Sequence, residues 1–349
     1  MKILVTGGAG YVGTRLANAL TAAGHAVRVL DSLIYGDRGL RPGIELLRGD
    51  VTDPAAARAA AAGCAAVLHL AAISNDPTGE LDQRLTERVN VGGTQILLRE
   101  ASRAGVARFV FASSSSVLGI QAEPDVTEET RPAPITAYSR SKLEAEGLVR
   151  AAHASDFTTV VVRPATICGP SPRQRFDLAV NALTGSAFFD ERIVVHGGEQ
   201  RRPNLAISDM LRLYALLLEA PAELVGGQVF HAGWENLSLL QMAERVRALV
   251  STRAGTPPAL EIRRESQDPR DYHISSRKLE RVLGFAPRSG IDAMVRELVQ
   301  VLELGFLGDY RSPHYHNLKV LTQSGTGPSP APPAAPLPAG FSSVNGIFR

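Results

Sequence analysis

Two short stretches carry most of the chemistry this sequence could perform. The first is Thr6-Gly7-Gly8-Ala9-Gly10-Tyr11-Val12-Gly13, which follows an apolar run and opens a segment with helical periodicity. Glycines so placed let the chain turn tightly and let its backbone approach a diphosphate, whose charge then sits at the helix N-terminus. Asp31 closes the next apolar run, 18 residues beyond Gly13. A carboxylate there can accept hydrogen bonds from a ribose and repels a 2′-phosphate, so the expected cofactor is NAD and not NADP. The second stretch is Tyr138-Ser139-Arg140-Ser141-Lys142. Residues four apart on a helix share a face, which sets the Lys142 ammonium one turn from the Tyr138 phenol. A nearby cation stabilises phenolate and lowers its pKa of about 10 toward the working range of a general base. The serine run Ser113-Ser114-Ser115-Ser116 follows a β-like run at Arg108–Ala112, and ligands in open α/β sheets bind at that end of a strand.

The elements that must position these groups are legible as alternation. Short β-branched runs at 3–6, 26–30, 44–48, 66–70, Arg108–Ala112 and 158–162 are separated by stretches with helical periodicity. That pattern predicts an α/β fold, a doubly wound parallel Rossmann sheet. Asp53 is suited to cap an alanine-rich helix, with Pro54 at its first position and Gly63 at its end. After a Pro/Arg-rich stretch at 163–175 the character changes: a strand is expected at 193–196 and amphipathic helices at 208–219, 238–251 and 291–304. The division expected is a cofactor domain at 1–170, with segments returning to it from the second half, and an interleaved, smaller substrate lobe at 171–320. Residues 321–349 form a Pro/Ala-rich tail, expected to be extended because its composition buries too little apolar surface to offset chain entropy.

Composition narrows the classes further. With 37 Lys and Arg against 35 acids, the net charge of +2 offers no broad basic field for nucleic acid. Cys64 and Cys168 lie in unrelated apolar contexts, which suits packing roles in a reducing compartment. No export signal opens the chain and no apolar run reaches the roughly 20 residues of a spanning helix, so a cytoplasmic protein off the membrane is expected. The close histidine pair, His314 and His316, lacks an acidic or thiol neighbour; no metal is expected, and the segment reads as solvated.

In combination these motifs resemble the extended short-chain dehydrogenase/reductases, particularly their nucleotide-sugar epimerase and dehydratase group. The resemblance runs over about residues 1–310 through the glycine turn, Gly49-Asp50-Val51, His69-Leu70-Ala71-Ala72, Val89-Asn90-Val91, the serine segment, Tyr138 with Lys142, and Arg163-Pro164. It implies cofactor contacts from Gly7, Gly10, Tyr11, Val12, Gly13 and Asp31, from Asp50 and Val51 at the adenine, and from Leu70, Ala71, Ala72 and Pro164 along the dinucleotide. Asn90 would support the fold around it. Ser114 would hold the sugar oxygen while Tyr138 moves the proton, Ser113 being the rival in register, and Lys142 would also bind the nicotinamide ribose. Ser115 would join the substrate site. Arg202, seven residues before Asp209, and Arg270 would grip a sugar-nucleotide diphosphate, with Arg175 and Asn181 beside them. The helices around Asn90 and Tyr138 would build a homodimer.

Departures from the family pattern bear on the reaction. Its 4,6-dehydratases carry an Asp-Glu pair directly after the catalytic hydroxyl; here those positions are Ser115 and Ser116, which cannot act as acid or base near neutral pH. Leu118, and the segment Thr166-Ile167-Cys168, also replace residues usual in the family's sugar pocket. The leading expectation is epimerisation of a nucleotide-diphosphate sugar, at C4, through a keto-sugar. A net dehydrogenase or 4-ketoreductase would use the same residues. A non-catalytic dinucleotide sensor is the third reading, and the presence of Tyr138 and Lys142 speaks against it.

Overall fold

The computed structural model describes residues 1–37, 39–123, 125–263 and 271–323. Six strands of its first half are β1 (Lys2–Thr6), β2 (Ala26–Asp31), β3 (Glu45–Arg48), β4 (Ala66–His69), β5 (Arg108–Ala112) and β6 (Thr158–Pro164). Later come β7 (Thr166–Cys168), β8 (Arg192–His196), β9 (Arg201–Ala206), β10 (Val229–Ala232), β11 (Glu235–Ser238) and β12 (Ala259–Arg263). Seven form one sheet in the order β10-β6-β5-β4-β1-β2-β3, and every pair in it is parallel. β4 and β6 are buried along almost their whole length, as strands covered by helices on both faces must be, and their centres, Val67-Leu68 and Val160-Val161-Val162, are apolar.

Helix Tyr11–Ala22 packs with Ile207–Glu219 on one face of the sheet, through Leu16, Leu20, Met210 and Leu213. Helices Pro54–Ala61, Gly93–Arg103 and Ala137–Ala151 cover the other, through Ala57, Leu97 and Ala145. Asp53 caps its helix as expected, accepting from the Ala55 amide at 2.8 Å. The strand order reverses at β1, whose neighbours are β2 and β4, and this switch point opens a crevice at the strands' carboxyl ends. Gly7 and Ala71 close its floor: a Cβ on Gly7, where φ is +67°, would lie 2.7 Å from the Ala71 nitrogen.

The second half adds a three-stranded sheet, β11-β9-β7, and a pair, β12-β8, against helices Ala179–Phe189, Leu239–Leu249 and Ile291–Glu303. β9 has no simple sequence signature, since Pro203 sits within it; it pairs antiparallel with β11. The segment around His314 departs from the solvated reading. Tyr315 is buried, its ring edge-on to Phe176 at 5.2 Å, and the His316 Nε2 meets the Tyr310 carbonyl at 2.8 Å. A partner 139 residues earlier in the chain makes that segment fold, and local composition carries no trace of it. The first residues of the expected extended tail, 321–323, instead end the helix Asn317–Gln323, and the tail from position 324 on lies outside the described residues.

Candidate functional site

The crevice deepens into a cavity of about 1360 Å³, mouth included, bordered by the glycine turn, the ends of β2, β4 and β5, and the Ala137–Ala151 helix. Gly10 precedes the Tyr11–Ala22 helix, and no side chain caps its first turn. A Cβ on Gly13 would stand 2.2 Å from the Gly7 carbonyl oxygen, so only glycine lets the turn close. An uncapped helix N-terminus behind a bare backbone fits a dinucleotide's diphosphate. The Asp31 carboxylate is held at the rim by the Ala9 amide (3.0 Å) and the Leu33 amide (2.8 Å). Burial raises its pKa, and these two bonds oppose the rise.

Thr136 begins the Ala137–Ala151 helix with a reciprocal cap: its hydroxyl accepts from the Ser139 amide at 3.1 Å, and Ser139 Oγ accepts from the Thr136 amide at 3.0 Å. That fixes Tyr138 in the first turn, facing the cavity. Burial pushes the Tyr138 phenol up and the neighbouring Asp76 adds to this, while a hydrogen bond with Ser114 and the charge of Arg175 pull it down. Lys142 donates to the Ala112 carbonyl at 2.8 Å, with its ammonium 4.9 Å from the centre of the Phe111 ring. Burial lowers its pKa from 10.5 to about 7. The two rival serines are turned to different partners. Ser113 borders the cavity, yet its hydroxyl donates to Glu146 at 2.5 Å, whereas Ser114 is the one bonded to Tyr138. Ser116 supports Ser114, with the two hydroxyls 2.9 Å apart.

Of the residues singled out in the sequence, the cavity brings together Gly7, Gly10, Tyr11, Val12, Gly13, Asp31, Asp50, Val51, Leu70, Ala71, Ala72, Tyr138, Lys142, Pro164 and Arg175. Ser114 is not among the lining residues, although its neighbour Ser113 is, and four others also lie outside the lining. Asn90, within a π-type turn at Arg88–Gly92, accepts from the Ile73 amide (2.8 Å) and donates to the Ile73 carbonyl (3.1 Å) and Ser141 (2.9 Å), bracing the loop after β4. Asn181, expected at the substrate, instead spends its amide on the Gly169 nitrogen, the Tyr11 hydroxyl and the Arg175 carbonyl. Arg202 lies on β9, nearly buried, its guanidinium 5.5 Å from the Tyr272 ring centre. Ser115 is buried in the turn after Ser114. Arg270 lies outside the described residues.

The cavity also takes in residues the sequence did not single out. They surround Arg175, which the sequence did single out and which is paired with Asp177 (Nε to Oδ1, 2.8 Å) while reaching Ser74 at 3.3 Å. Arg173 lies 4.4 Å from the Tyr35 ring centre and donates to Asn317 at 2.7 Å. Met210 and Tyr214 close the far side. The alternating charges of Arg173-Gln174-Arg175-Phe176-Asp177 were the one available signal for this wall; nothing in the sequence ties Asn317 to it.

Residues 3–233 match the model of the NAD dependent epimerase/dehydratase family. The chain belongs to that family. It is an extended short-chain dehydrogenase/reductase, and NAD is its cofactor. Among its relatives, the dTDP-glucose 4,6-dehydratase of Streptomyces niveus is 31% identical over 303 residues, covering 82% of this chain and 88% of that protein. The UDP-glucose 4-epimerase of Lactobacillus helveticus is 28% identical over 311 residues, covering 82% and 92%. The solved structure of MoeE5 in complex with UDP-glucuronic acid and NAD superposes with a TM-score of 0.75 at 27% identity, over 87% of this chain and 100% of that one. Among the described residues no helix is long and apolar enough to cross a membrane, and no three His, Cys, Asp or Glu side chains converge as metal ligands.

Proposed function

We propose that the protein interconverts C4 epimers of a nucleotide-diphosphate sugar through a transient 4-ketosugar. The observation that carries this reading is a phenol and an ammonium, Tyr138 and Lys142, on one cavity wall, with the Ser114 hydroxyl beside the phenol and two further buried hydroxyls following it. Ser115 and Ser116 stand where eliminating water would call for carboxyl groups. Ser114 holds the C4 hydroxyl. Tyr138, as phenolate beside the Lys142 cation, takes its proton and later returns it. Bound NAD supplies the hydride acceptor and, once reduced, the donor for the opposite face. The glycine turn and Asp31 keep the dinucleotide fixed while the ketosugar turns over in the cavity.

The relatives named above act on or bind UDP- and dTDP-sugars, which supports that substrate class. We assign the sugar to Arg175 and the substrate diphosphate to Arg202 with Arg270, Asn181 and Ser115 acting from behind the wall. Residues 1–170 serve as the cofactor domain and 171–320 as the substrate lobe. The Gly93–Arg103 and Ala137–Ala151 helices are our choice for a homodimer interface, which light scattering can test. We place the enzyme in the cytoplasm, in keeping with two buried, unpaired thiols.

The test is to incubate the purified protein with UDP-, dTDP- and GDP-sugars without added NAD and to identify the products by chromatography. The reading predicts a C4 epimer with no net reduced nicotinamide. Stoichiometric NADH, or strict dependence on added cofactor, would make the protein a net oxidoreductase; a 4-keto-6-deoxy product would make it a dehydratase.

A further inference from the structure

Behind the reacting groups lies a buried carboxylate that the chemistry above does not use. Glu146 follows Lys142 by one turn of the same helix and is 2% exposed. Its Oε1 accepts from Ser113 Oγ at 2.5 Å and from Arg163 Nε at 2.9 Å, and its Oε2 accepts from Arg163 Nη2 at 2.7 Å. Arg163 lies on β6 and continues to the His231 Nε2 on β10 at 3.4 Å. His231 in turn is held through its backbone amide by Glu128 at 2.7 Å. Docking a helix on a sheet does not require this arrangement, because well-packed apolar side chains stabilise such a contact at least as well as a buried ion pair.

What singles out Glu146 is the residue it grips. Ser113 stands between Ala112, whose carbonyl receives the Lys142 ammonium at 2.8 Å, and Ser114, whose hydroxyl is bonded to Tyr138. One carboxylate therefore fixes the strand end that carries both contacts. We propose that Glu146 is a positioning residue for this reaction: anchored by Arg163, it holds the Ala112–Ser114 strand end in place through Ser113 and acts as the counter-charge of the Lys142 ammonium.

The surroundings of Lys142 leave that second task to Glu146. From β5 it meets the Phe111 ring and the Ala112 carbonyl, from its own helix Tyr138 and Glu146, from β4 His69, and from β6 Arg163 lies beyond Glu146. His69 is held neutral by burial, and the Arg163 charge is matched by Glu146. Burial opposes the ammonium, and Glu146 is the charge that favours it. Without Glu146, Lys142 would give up its proton at lower pH, and Tyr138 would lose the cation that makes it a base near neutrality.

The inference rests on the assignment of proton transfer to Tyr138 and Lys142, and the experiment separates the two claims. Glu146→Gln keeps the shape and removes the charge; because it strands the Arg163 cation, the double variant Glu146→Gln/Arg163→Gln is made beside it. In nucleotide-free protein, the pH dependence of Lys142 acetylation by a small amine-directed reagent, read by mass spectrometry, reports the lysine proton with no sugar present. We expect its midpoint to fall by about one pH unit or more in the double variant, and the alkaline limb of turnover to fall with it. An unchanged acetylation midpoint in a folded variant overturns the proposal and leaves the pair as a structural brace. A shifted midpoint with an unmoved turnover limb keeps Glu146 as the counter-charge and overturns the role given to Lys142.

Discussion

The two walls of the cavity are made in different ways. The wall from the parallel sheet presents backbone and small side chains, namely the glycine turn, Leu70-Ala71-Ala72 and the end of β5, with Tyr138 and Lys142 placed by one capped helix. The opposite wall is made of larger side chains: Arg173 and Arg175 on a loop, with Asp177 paired to Arg175 beside it, Met210 and Tyr214 on a helix, and Asn317 from near the described C-terminus. These hold one another through side-chain bonds across long stretches of sequence, such as Asn317 Nδ2 to Ser74 at 3.0 Å and the Asn317 amide to Asp177 at 3.1 Å. A backbone wall admits one kind of ligand, because moving it means moving the sheet. A side-chain wall can be retuned residue by residue, and on the proposed function we assign cofactor choice to the first wall and sugar choice to the second.

The largest effect expected from a single substitution is on the first wall. Tyr138→Phe should lower turnover by about 10²- to 10⁴-fold while NAD affinity, measured by calorimetry, stays the same. Retention of more than about a tenth of the activity would remove Tyr138 from the role of base. Gly13→Ala tests the backbone claim, since the added methyl would stand 2.2 Å from the Gly7 oxygen. NAD affinity should fall by about 100-fold, the order of 1–3 kcal/mol that overpacking costs; calorimetry that finds it unaltered contradicts a turn fitted to the dinucleotide.

Arg175→Met is the matching test on the second wall. Removing a charged hydrogen-bond donor is worth about 1.5–3 kcal/mol, so the sugar KM should rise by about 10- to 100-fold. NAD affinity should change little. Equal damage to cofactor and sugar binding would erase the distinction between the walls.

The smallest effect concerns stability. His69 lies under the first wall between Thr6 (2.7 Å) and Thr94 (2.9 Å), and burial lowers its pKa to about 3 from 6.5. The unfolded chain takes up a proton that the fold refuses, so stability is intact above about pH 6.5 and is lost as pH falls from there toward 3. The loss is at most about 1.4 kcal/mol per pH unit for such a group, and His231 adds to it in the same direction. Urea midpoints at pH 7.5 and 5 read this; equal midpoints would mean that neither histidine is held neutral.

The difference between the walls also explains what could be read from the sequence. The glycine turn, Asp31 and the Tyr138–Lys142 pair are legible because local backbone geometry dictates their spacing. Resemblance alone puts Ser114 ahead of Ser113; the physical difference between them is the grip of Glu146, 33 residues downstream of Ser113, which no local pattern shows. Asn181, given to the substrate site by resemblance, has its amide committed to Gly169, Tyr11 and Arg175, partners that only the tertiary fold brings to it. Tyr35, Tyr214 and Asn317 reach the cavity only through the tertiary fold. The segment at His314 looked solvated for the same reason, since its partner Phe176 is distant in sequence.

The central claim is that one cavity oxidises a sugar and returns the same hydride to its other face. It is tested most directly with a nucleotide sugar that carries deuterium at C4, incubated with the enzyme as purified and no added nicotinamide. The account predicts an epimer that retains the deuterium at C4, with none in the solvent and none in free NADH. Loss of the label to a dissociating nicotinamide, in proportion to ketosugar released, would contradict it.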